Sequence, residues 1–272
     1  MALTGLQIQK LLPKTNCKEC GCNTCLAFAM KLAAKKAELA ECPYASDEAK
    51  AVLGAASEPP IRTVTLGAAG GEFKAGGETV MYRHEKTFVN QAGLGFAVDD
   101  TLADVEIEQR VRSLAAYQVE RVGEVLKPDL VSVAFESGSS ERFLAVLGKV
   151  AQLWPRAIAV RTDDAAILRA AAEKLRGRRP LLASATSATI DGLIAVAKET
   201  HSALAVAATS FNALLALAAK LLAAEFRNAF LELRSDSLCE HVQNNTIIRR
   251  AALKAGVKGL GLPIVRYVDT GS

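Results

Sequence analysis

The sequence predicts an α/β fold built on a parallel sheet, and three observations carry that expectation. Short apolar, β-prone runs recur at residues 95–98, 130–135, 157–160, 181–183, 204–207, 229–233 and 262–268, with helical stretches between them at 104–126, 140–153, 164–176, 190–200, 211–224 and 238–255. A strand followed by a helix, repeating about every 25–30 residues, is the pattern of a parallel sheet with its helices outside. The runs are apolar without alternation, as required when both faces of a strand are covered. Half of the 272 residues are apolar but only 5% are aromatic, which suits Ala-rich helices packed on a sheet better than an all-β sandwich. Seven strands can be counted, and the closed form of such a wall is an eight-stranded TIM-like (β/α) barrel. The expected α/β architecture is therefore a TIM-like barrel, incomplete at its carboxyl end. Either it is part of a longer chain or the sheet stays open, because residues 268–272 follow the seventh strand without a helix.

Ahead of the barrel lies a small helical module. Residues 5–12, with Leu6, Ile8, Leu11 and Leu12, form a short helix that Pro13 ends. Next comes Cys17-Lys-Glu-Cys20-Gly-Cys22-Asn-Thr-Cys25, then sixteen residues, then Cys42-Pro43. The stretch 24–40 between them is a helix. Its apolar side carries Leu26, Ala29, Met30, Leu32, Ala33 and Leu39, and its polar side Lys31, Lys35, Lys36 and Glu38, with Glu41 just beyond. Thr24 is the expected N-cap. That cap places Cys25 at the helix amino terminus, where the dipole favours the negative charge of a thiolate.

Five of six cysteines within residues 17–42 point to metal rather than disulfides in a reducing compartment. The candidate ligands are Cys17, Cys20, Cys25 and Cys42, spaced C-x2-C-x4-C-x16-C-P. Four thiolates from one short segment suit an iron–sulfur cluster or tetrahedral zinc. One crowded group with a single distant partner favours iron, because four-cysteine zinc sites usually draw on two separated C-x2-C knuckles. An alternative stays open, since Cys17, Cys20, Cys22 and Cys25 also amount to four thiolates. Ligands only two residues apart strain cluster geometry, which argues for Cys22 as a non-ligand. A module this small buries little core, so the metal would also be its structural staple.

Ser57-Glu-Pro-Pro60 reads as a linker, dividing the chain into an iron–sulfur domain over 1–57 and a barrel-like domain over 58–272. Residues 62–66 form a short strand, and the glycine-rich 67–77 that follow match neither G-x-G-x-x-G nor the P-loop, so they read as a hairpin or edge feature. The 33 basic and 29 acidic residues are scattered, which argues against nucleic acid. The most apolar stretch, 203–224, is broken by Thr209, Ser210, Asn212 and Lys220, which argues against a membrane span. The amino terminus lacks a secretory signal, so the expected location is cytoplasmic.

Barrel chemistry belongs at the carboxyl ends of strands. There the sequence offers Asp99, Asp100, Glu136, Ser137, residues 162–164, Thr186, Thr209, Ser210 and residues 234–236, mostly small polar residues suited to capping the next helix. No catalytic residue stands out. His84, His201 and His241 have no metal-binding spacing, the basic turn 176–180 reads as solvated, and Cys239 reads as a buried or partly buried neutral thiol.

Several stretches together resemble one family. They are Leu3-Thr-Gly-Leu6, Leu12-Pro-Lys-Thr-Asn-Cys17-x-Glu-Cys20-Gly, Thr24-Cys25-Leu-Ala-Phe-Ala29 and Cys42-Pro-Tyr44, then Tyr82-Arg-His-Glu-Lys86 with Phe88, Arg179-Pro-Leu-Leu182, Ile248-Arg-Arg250 and Gly261-Leu-Pro263. They resemble the large-subunit family of the corrinoid iron–sulfur proteins of the acetyl-CoA decarbonylase/synthase (reductive acetyl-CoA) system. The resemblance implies a [4Fe–4S] cluster on Cys17, Cys20, Cys25 and Cys42, with Cys22 outside the pattern, followed by a TIM-type barrel. It also implies a corrinoid (cobamide) bound by a third, carboxyl-terminal domain that these residues do not include. The family's role is to carry a methyl group from a methyltetrahydropterin to acetyl-CoA synthase, the cluster returning inert Co(II) to Co(I). The implied partners are the small subunit of the corrinoid iron–sulfur protein, a methyltetrahydropterin methyltransferase and carbon monoxide dehydrogenase/acetyl-CoA synthase. Such a chain is a methyl and electron carrier rather than a stand-alone catalyst. Two other readings compete: a zinc-stapled binding module, and an independent barrel enzyme with an iron–sulfur accessory domain.

Overall fold

The structure, a computed structural model, describes residues 4–33, 37, 39–49, 53 and 59–268. The chain divides into two compact units, Met1–Pro59 and Pro60–Ser272.

In the first unit, α1 (Gly5–Leu11) opens with a capping box. The Gln7 amide N–H donates to Thr4 Oγ1, and the Thr4 N–H donates to Gln7 Oε1 at 2.8 Å. Helix α1 stops at the residue pair preceding Pro13, whose ring disfavours helical backbone before it. Helix α2 (Cys25–Ala33) starts at Thr24, whose Oγ1 accepts the Ala27 N–H at 3.1 Å. The predicted continuation through Lys35, Lys36 and Glu38 lies outside the described residues, as do Ser57 and Glu58 of the linker. A short 3-10 turn, Leu39–Glu41, leads into Cys42. The unit's core is one small cluster of Ile8, Leu12, Phe28, Ala29, Ala45, Ala49 and Leu53 together with three cysteines.

The second unit opens with an antiparallel hairpin of β1 (Val64–Leu66) and β2 (Phe73–Ala75), which the glycine-rich run turns. The repeat follows: β3 (Gly95–Asp99), α3 (Asp104–Ala116), a hairpin of β4 (Val119–Arg121) and β5 (Glu124–Leu126), β6 (Leu130–Ala134), α4 (Ser140–Leu153), β7 (Ala157–Arg161), α5 (Ala165–Lys174), β8 (Leu181–Ala185), α6 (Ile190–Thr200), β9 (Ala203–Ala208), α7 (Phe211–Ala223), β10 (Ala229–Leu233) and α8 (Leu238–Leu253). Strands β3, β6, β7, β8, β9 and β10 form one parallel sheet in that order. The predicted seventh run pairs with β10 through a single parallel bridge, Leu231 to Ile264, rather than as a full strand. Each strand lies beside its predecessor in the repeat, as in the wall of a (β/α) barrel. Among the described residues the wall is not closed.

Two apolar layers explain the unbroken hydrophobic runs. Val131, Val133, Ile158, Val160, Leu182, Leu204, Val206 and Leu231 pack with the helices. The other face is small: Ala157, Ala159, Ala183, Ala203 and Ala205 with Phe230, packed with Val64 and Leu66 of the first hairpin. Asp100 sits buried just past β3. Its carboxylate accepts the N–H groups of Glu136 and Ser137, each at 2.8 Å, and the Ser137 hydroxyl at 2.5 Å, tying the ends of two neighbouring strands together. Asp100→Ala strands these donors in a buried site and should cost about 2–4 kcal/mol, read as a lower urea midpoint at unchanged slope.

Between α3 and α4, the Asp104 carboxylate takes Lys149 Nζ at 2.8 Å and the Arg142 guanidinium. Those bonds hold its carboxyl below the ordinary value. A lowered folded value means that the contribution is complete above the unfolded titration and fades as pH falls through the folded one. Asp104→Asn should therefore flatten the loss of stability below about pH 4 and leave the neutral-pH slope unchanged. Urea unfolding of both proteins across that range checks it.

Three expectations need correction. The helix predicted over 104–126 ends at Ala116, because Val119, Val122 and Val125 favour a strand and Val122-Gly123 take the positive φ values, 54° and 77°, of a two-residue hairpin turn. The basic turn at 176–180 is not simply solvated. Arg178 donates to the carbonyls of Ala151, Trp154 and Arg156, and Arg179 donates to Gly67 O at 2.8 Å and pairs with Glu72. Cys239 is exposed rather than buried, since α8 turns inward only His241, Ile248 and Ala252.

Candidate metal centre

The cysteine loop is shaped by its backbone. Lys14, Asn16 and Lys18 hold left-handed φ values of 58°, 51° and 66°, and Gly21 holds 70°. Three non-glycine residues in that region within five positions mark a loop folded tightly back on itself. Two side-chain bonds fix where it returns. Asn16 Oδ1 accepts the Cys25 N–H at 2.8 Å, holding the stretch that leads into Cys17 at the start of α2. The Tyr44 hydroxyl donates to Glu19 Oε1 at 2.9 Å, so the turn after Cys42 is tied to the loop between Cys17 and Cys20. That bond, which the carboxylate accepts, raises the phenol's pKa.

Cys25 and Cys42 are buried in the small apolar cluster, each 7% exposed, and Cys20 packs against it. Cys17 lies on the exposed side of the loop. Cys22, expected to stand outside the ligand set, is buried at 5% in the same cluster. Burial, with the neighbouring Cys22, pushes the Cys20 thiol up. A bound cation reverses that preference, since thiolate is the ligating form. Among the described residues, no group of three or more His, Cys, Asp or Glu is disposed to hold a metal ion. The donor chemistry nevertheless fits a thiolate-held cluster: every sulfur the spacing selects lies on this loop, at the start of α2 or on the turn tied back to it.

The carboxyl ends of the strands hold the expected caps Asp164 and Ser210, two caps the sequence reading did not single out, Ser139 and Ser237, and one addition of another kind. Ser139, Asp164, Ser210 and Ser237 each accept a backbone N–H at the start of α4, α5, α7 and α8. Asp99 accepts from Thr101. The addition is Glu232 on β10, buried at 4%, accepting Ser184 Oγ at 2.7 Å and Arg234 Nε at 3.3 Å, while Arg234 reaches Asp163 at 2.8 Å. Tyr267 lies nearby, its phenol pushed well above its ordinary value by burial and by Glu232. The sequence hid Glu232 inside an apolar run, and its partners come from other strands. Arg234 thus bridges the buried Glu232 and the exposed Asp163, while the Tyr267 hydroxyl is buried without a hydrogen-bond partner among the described residues. A separate cavity of 530 Å³ opens beside the amino ends of β8, β9 and β10, with Arg179, Lys198, His201 and Arg227 on its walls. That is the end of a parallel sheet where residues serve stability rather than chemistry.

A thiol-rich helical unit followed by a parallel (β/α) unit defines the class of this chain. The family model described as CO dehydrogenase/acetyl-CoA synthase delta subunit matches residues 63–270, and the chain belongs to that family. A second family model, described as putative Fe-S cluster, matches residues 12–44, which contain all five clustered cysteines. The chain is 36% identical over 265 residues to the corrinoid/iron-sulfur protein large subunit of Moorella thermoacetica, covering 97% of this chain and 59% of that protein. It is 31% identical to the acetyl-CoA decarbonylase/synthase complex subunit gamma of Methanocaldococcus jannaschii, covering 97% of this chain and 55% of that one. The chain thus spans somewhat more than half the length of these relatives. A solved structure of DHPS from Yersinia pestis superposes on 74% of this chain and 75% of its own, at 15% identity and a TM-score of 0.46. No helix among the described residues is long and apolar enough to cross a membrane.

Proposed function

We propose that this chain is the electron-transfer and scaffold part of a corrinoid iron–sulfur methyl carrier. In this reading residues 1–57 form the iron–sulfur domain, with Cys17, Cys20, Cys25 and Cys42 as ligands of a [4Fe–4S] cluster. Residues 58–272 form the barrel-like domain. The observation that carries the reading is the gathering of the cysteine loop, the start of α2 and the Cys42 turn by Asn16 and Tyr44. When bound, the cluster supplies single electrons at low potential, the chemistry needed to return Co(II) of a corrinoid to Co(I). The chain's own residues do the rest. Cys25 stands at the amino terminus of α2, the positive end of the helix dipole, where negative charge is favoured. The apolar cluster around Phe28 and Ala29 keeps water from that side of the sulfurs, and exposed Cys17 leaves the opposite side open for electron exchange.

The names of the relatives support the same system. The proposed partners are a small subunit of the corrinoid iron–sulfur protein, a methyltetrahydropterin methyltransferase and carbon monoxide dehydrogenase/acetyl-CoA synthase, all in the cytoplasm. The corrinoid would be held outside these 272 residues. The test is anaerobic purification followed by iron, sulfide, zinc and cobalt analysis and an optical spectrum. About four irons with matching sulfide, and a broad band near roughly 400 nm that a strong reductant bleaches, are expected. Stoichiometric zinc without colour would overturn the redox reading in favour of a zinc-stapled module.

A further inference from the structure

The cavity of 530 Å³ at the amino ends of β8, β9 and β10 has walls of one charge. Arg62, Arg179, Lys198 and Arg227 line it together with His201, and among the described residues no Asp or Glu does. At the composition of the whole chain, 33 basic and 29 acidic residues in 272, its eleven lining residues would include about one of each sign. Two other hollows of the second unit do mix the signs: Glu106 and Arg110 line one, and Glu72, Lys74, Lys127 and Asp129 the other. The cations are scattered along the sequence and gathered by the fold. Arg62 precedes β1, Arg179 precedes β8, Lys198 and His201 stand at the carboxyl end of α6, and Arg227 lies in the connection before β10. Several wall groups are held where they stand. Arg179 Nε donates to the Gly67 carbonyl at 2.8 Å while its guanidinium pairs with Glu72. Lys198 Nζ donates to the Ala224 carbonyl at 2.6 Å, a bond that fixes the ammonium without cancelling its charge. The Asn228 side chain donates to the Ser202 carbonyl at 3.1 Å. A helix carboxyl end carries about half an elementary charge, too little to account for four permanent cations.

We infer that this cavity binds a phosphate-bearing small molecule of nucleotide size. Walls of one sign with low-dielectric protein behind them focus the field and raise the local concentration of anions. Three of the four permanent cations are arginines, whose planar forks match phosphate oxygens, and Thr63 and Thr65 add hydroxyls. The volume is more than a bare phosphate fills and lies within the range of small-molecule sites, and Ala197 and Phe226 give the organic part of the ligand an apolar wall. It is a binding site and not a reaction centre, as suits the amino end of such a sheet.

The experiment follows the melting of the full chain by calorimetry, without divalent cations, in the presence of ADP, adenosine, poly-L-glutamate, or sodium chloride at the ionic strength of the ADP sample. For a dissociation constant of about 1 mM, ADP at about 10 mM should raise the melting temperature by about 4 °C, and adenosine and salt should leave it in place. Lys198→Ala and Arg227→Ala should each remove most of that shift, because losing a charge-assisted bond weakens binding about tenfold. Lys220→Ala, on α7 and paired with Asp191, should keep it. The melting of each variant without ligand separates a lost contact from a damaged fold. An ADP shift no larger than that of salt overturns the inference. So does a full shift in both Lys198→Ala and Arg227→Ala, which would put the ligand elsewhere. A shift with poly-L-glutamate and none with ADP overturns it as well, and would make the cavity a docking surface for an acidic protein.

Discussion

Cys42→Ala, purified anaerobically, should lose nearly all of its iron and the visible band, while Cys22→Ala keeps both. Cys42 is the one clustered cysteine that lies outside the 17–25 loop, and it belongs to the proposed ligand set. Its position rests on the Leu39 carbonyl, which accepts its N–H at 3.0 Å, and on the Tyr44–Glu19 bond just beyond. No other cysteine follows it before Cys239, so nothing can replace it from its own side. The loss should also reach the fold of the first unit, because metal binding and folding are coupled where the core is this small. Melting of the first unit's helices, followed by circular dichroism with and without iron, should therefore move in Cys42→Ala and stay in place in Cys22→Ala. Equal iron in the two variants would overturn the ligand assignment.

The second large effect is on stability. Trp154, the only tryptophan in the chain, is 1% exposed and donates Nε1–H to the Ala157 carbonyl at 2.8 Å. The Arg156 guanidinium lies 4.7 Å from its ring centre, and Arg178 binds its carbonyl at 2.7 Å. Trp154→Ala removes the largest fully buried side chain and should cost about 4 kcal/mol from cavity formation alone. The Ala157 carbonyl, left without its donor, adds about 1 kcal/mol. For a unit of this size the melting temperature should fall on the order of 10 °C. Trp154→Phe, which keeps most of the volume and loses the hydrogen bond, should recover more than half of that fall. Calorimetry on the three proteins checks the ordering. A Trp154→Ala protein melting within about 2 °C of wild type would show that the cavity collapses, contrary to a close-packed site.

Much of this protein is legible along the chain. The parallel strand–helix repeat appears because each β-prone run is short, apolar and bounded by a capping residue, all of which are local properties. Thr24 as the cap of α2, and Asp164 and Ser210 in the same role, could be placed by position alone, whereas Ser139 and Ser237, two and one residues beyond the candidates at 137 and 236, could not. The cysteine spacing likewise singles out candidate donors locally, since Cys17, Cys20, Cys22 and Cys25 fall within nine residues, with Cys42 further along. Where local preference and pattern conflict, as at Val119 to Val125, the helix pattern misleads and the β-branched residues with their left-handed turn decide.

Contacts between distant segments were not legible. Arg178 and Arg179 look like surface charge until the carbonyls of Ala151, Trp154 and Gly67 are seen beside them. Glu232 looks like an interruption in an apolar strand until Ser184 and Arg234 surround it. The order of burial among the cysteines belongs with these. Spacing sets Cys22 aside as a loop residue, but packing turns it inward and leaves Cys17 in solvent. Pattern and spacing along the chain determined the fold class, the helix starts and the chemistry of the donors, because periodicity, capping and sulfur content act over a few residues. Only the tertiary structure decided which charges are satisfied and which sulfurs are dry, because burial depends on residues that come together only when the chain has folded.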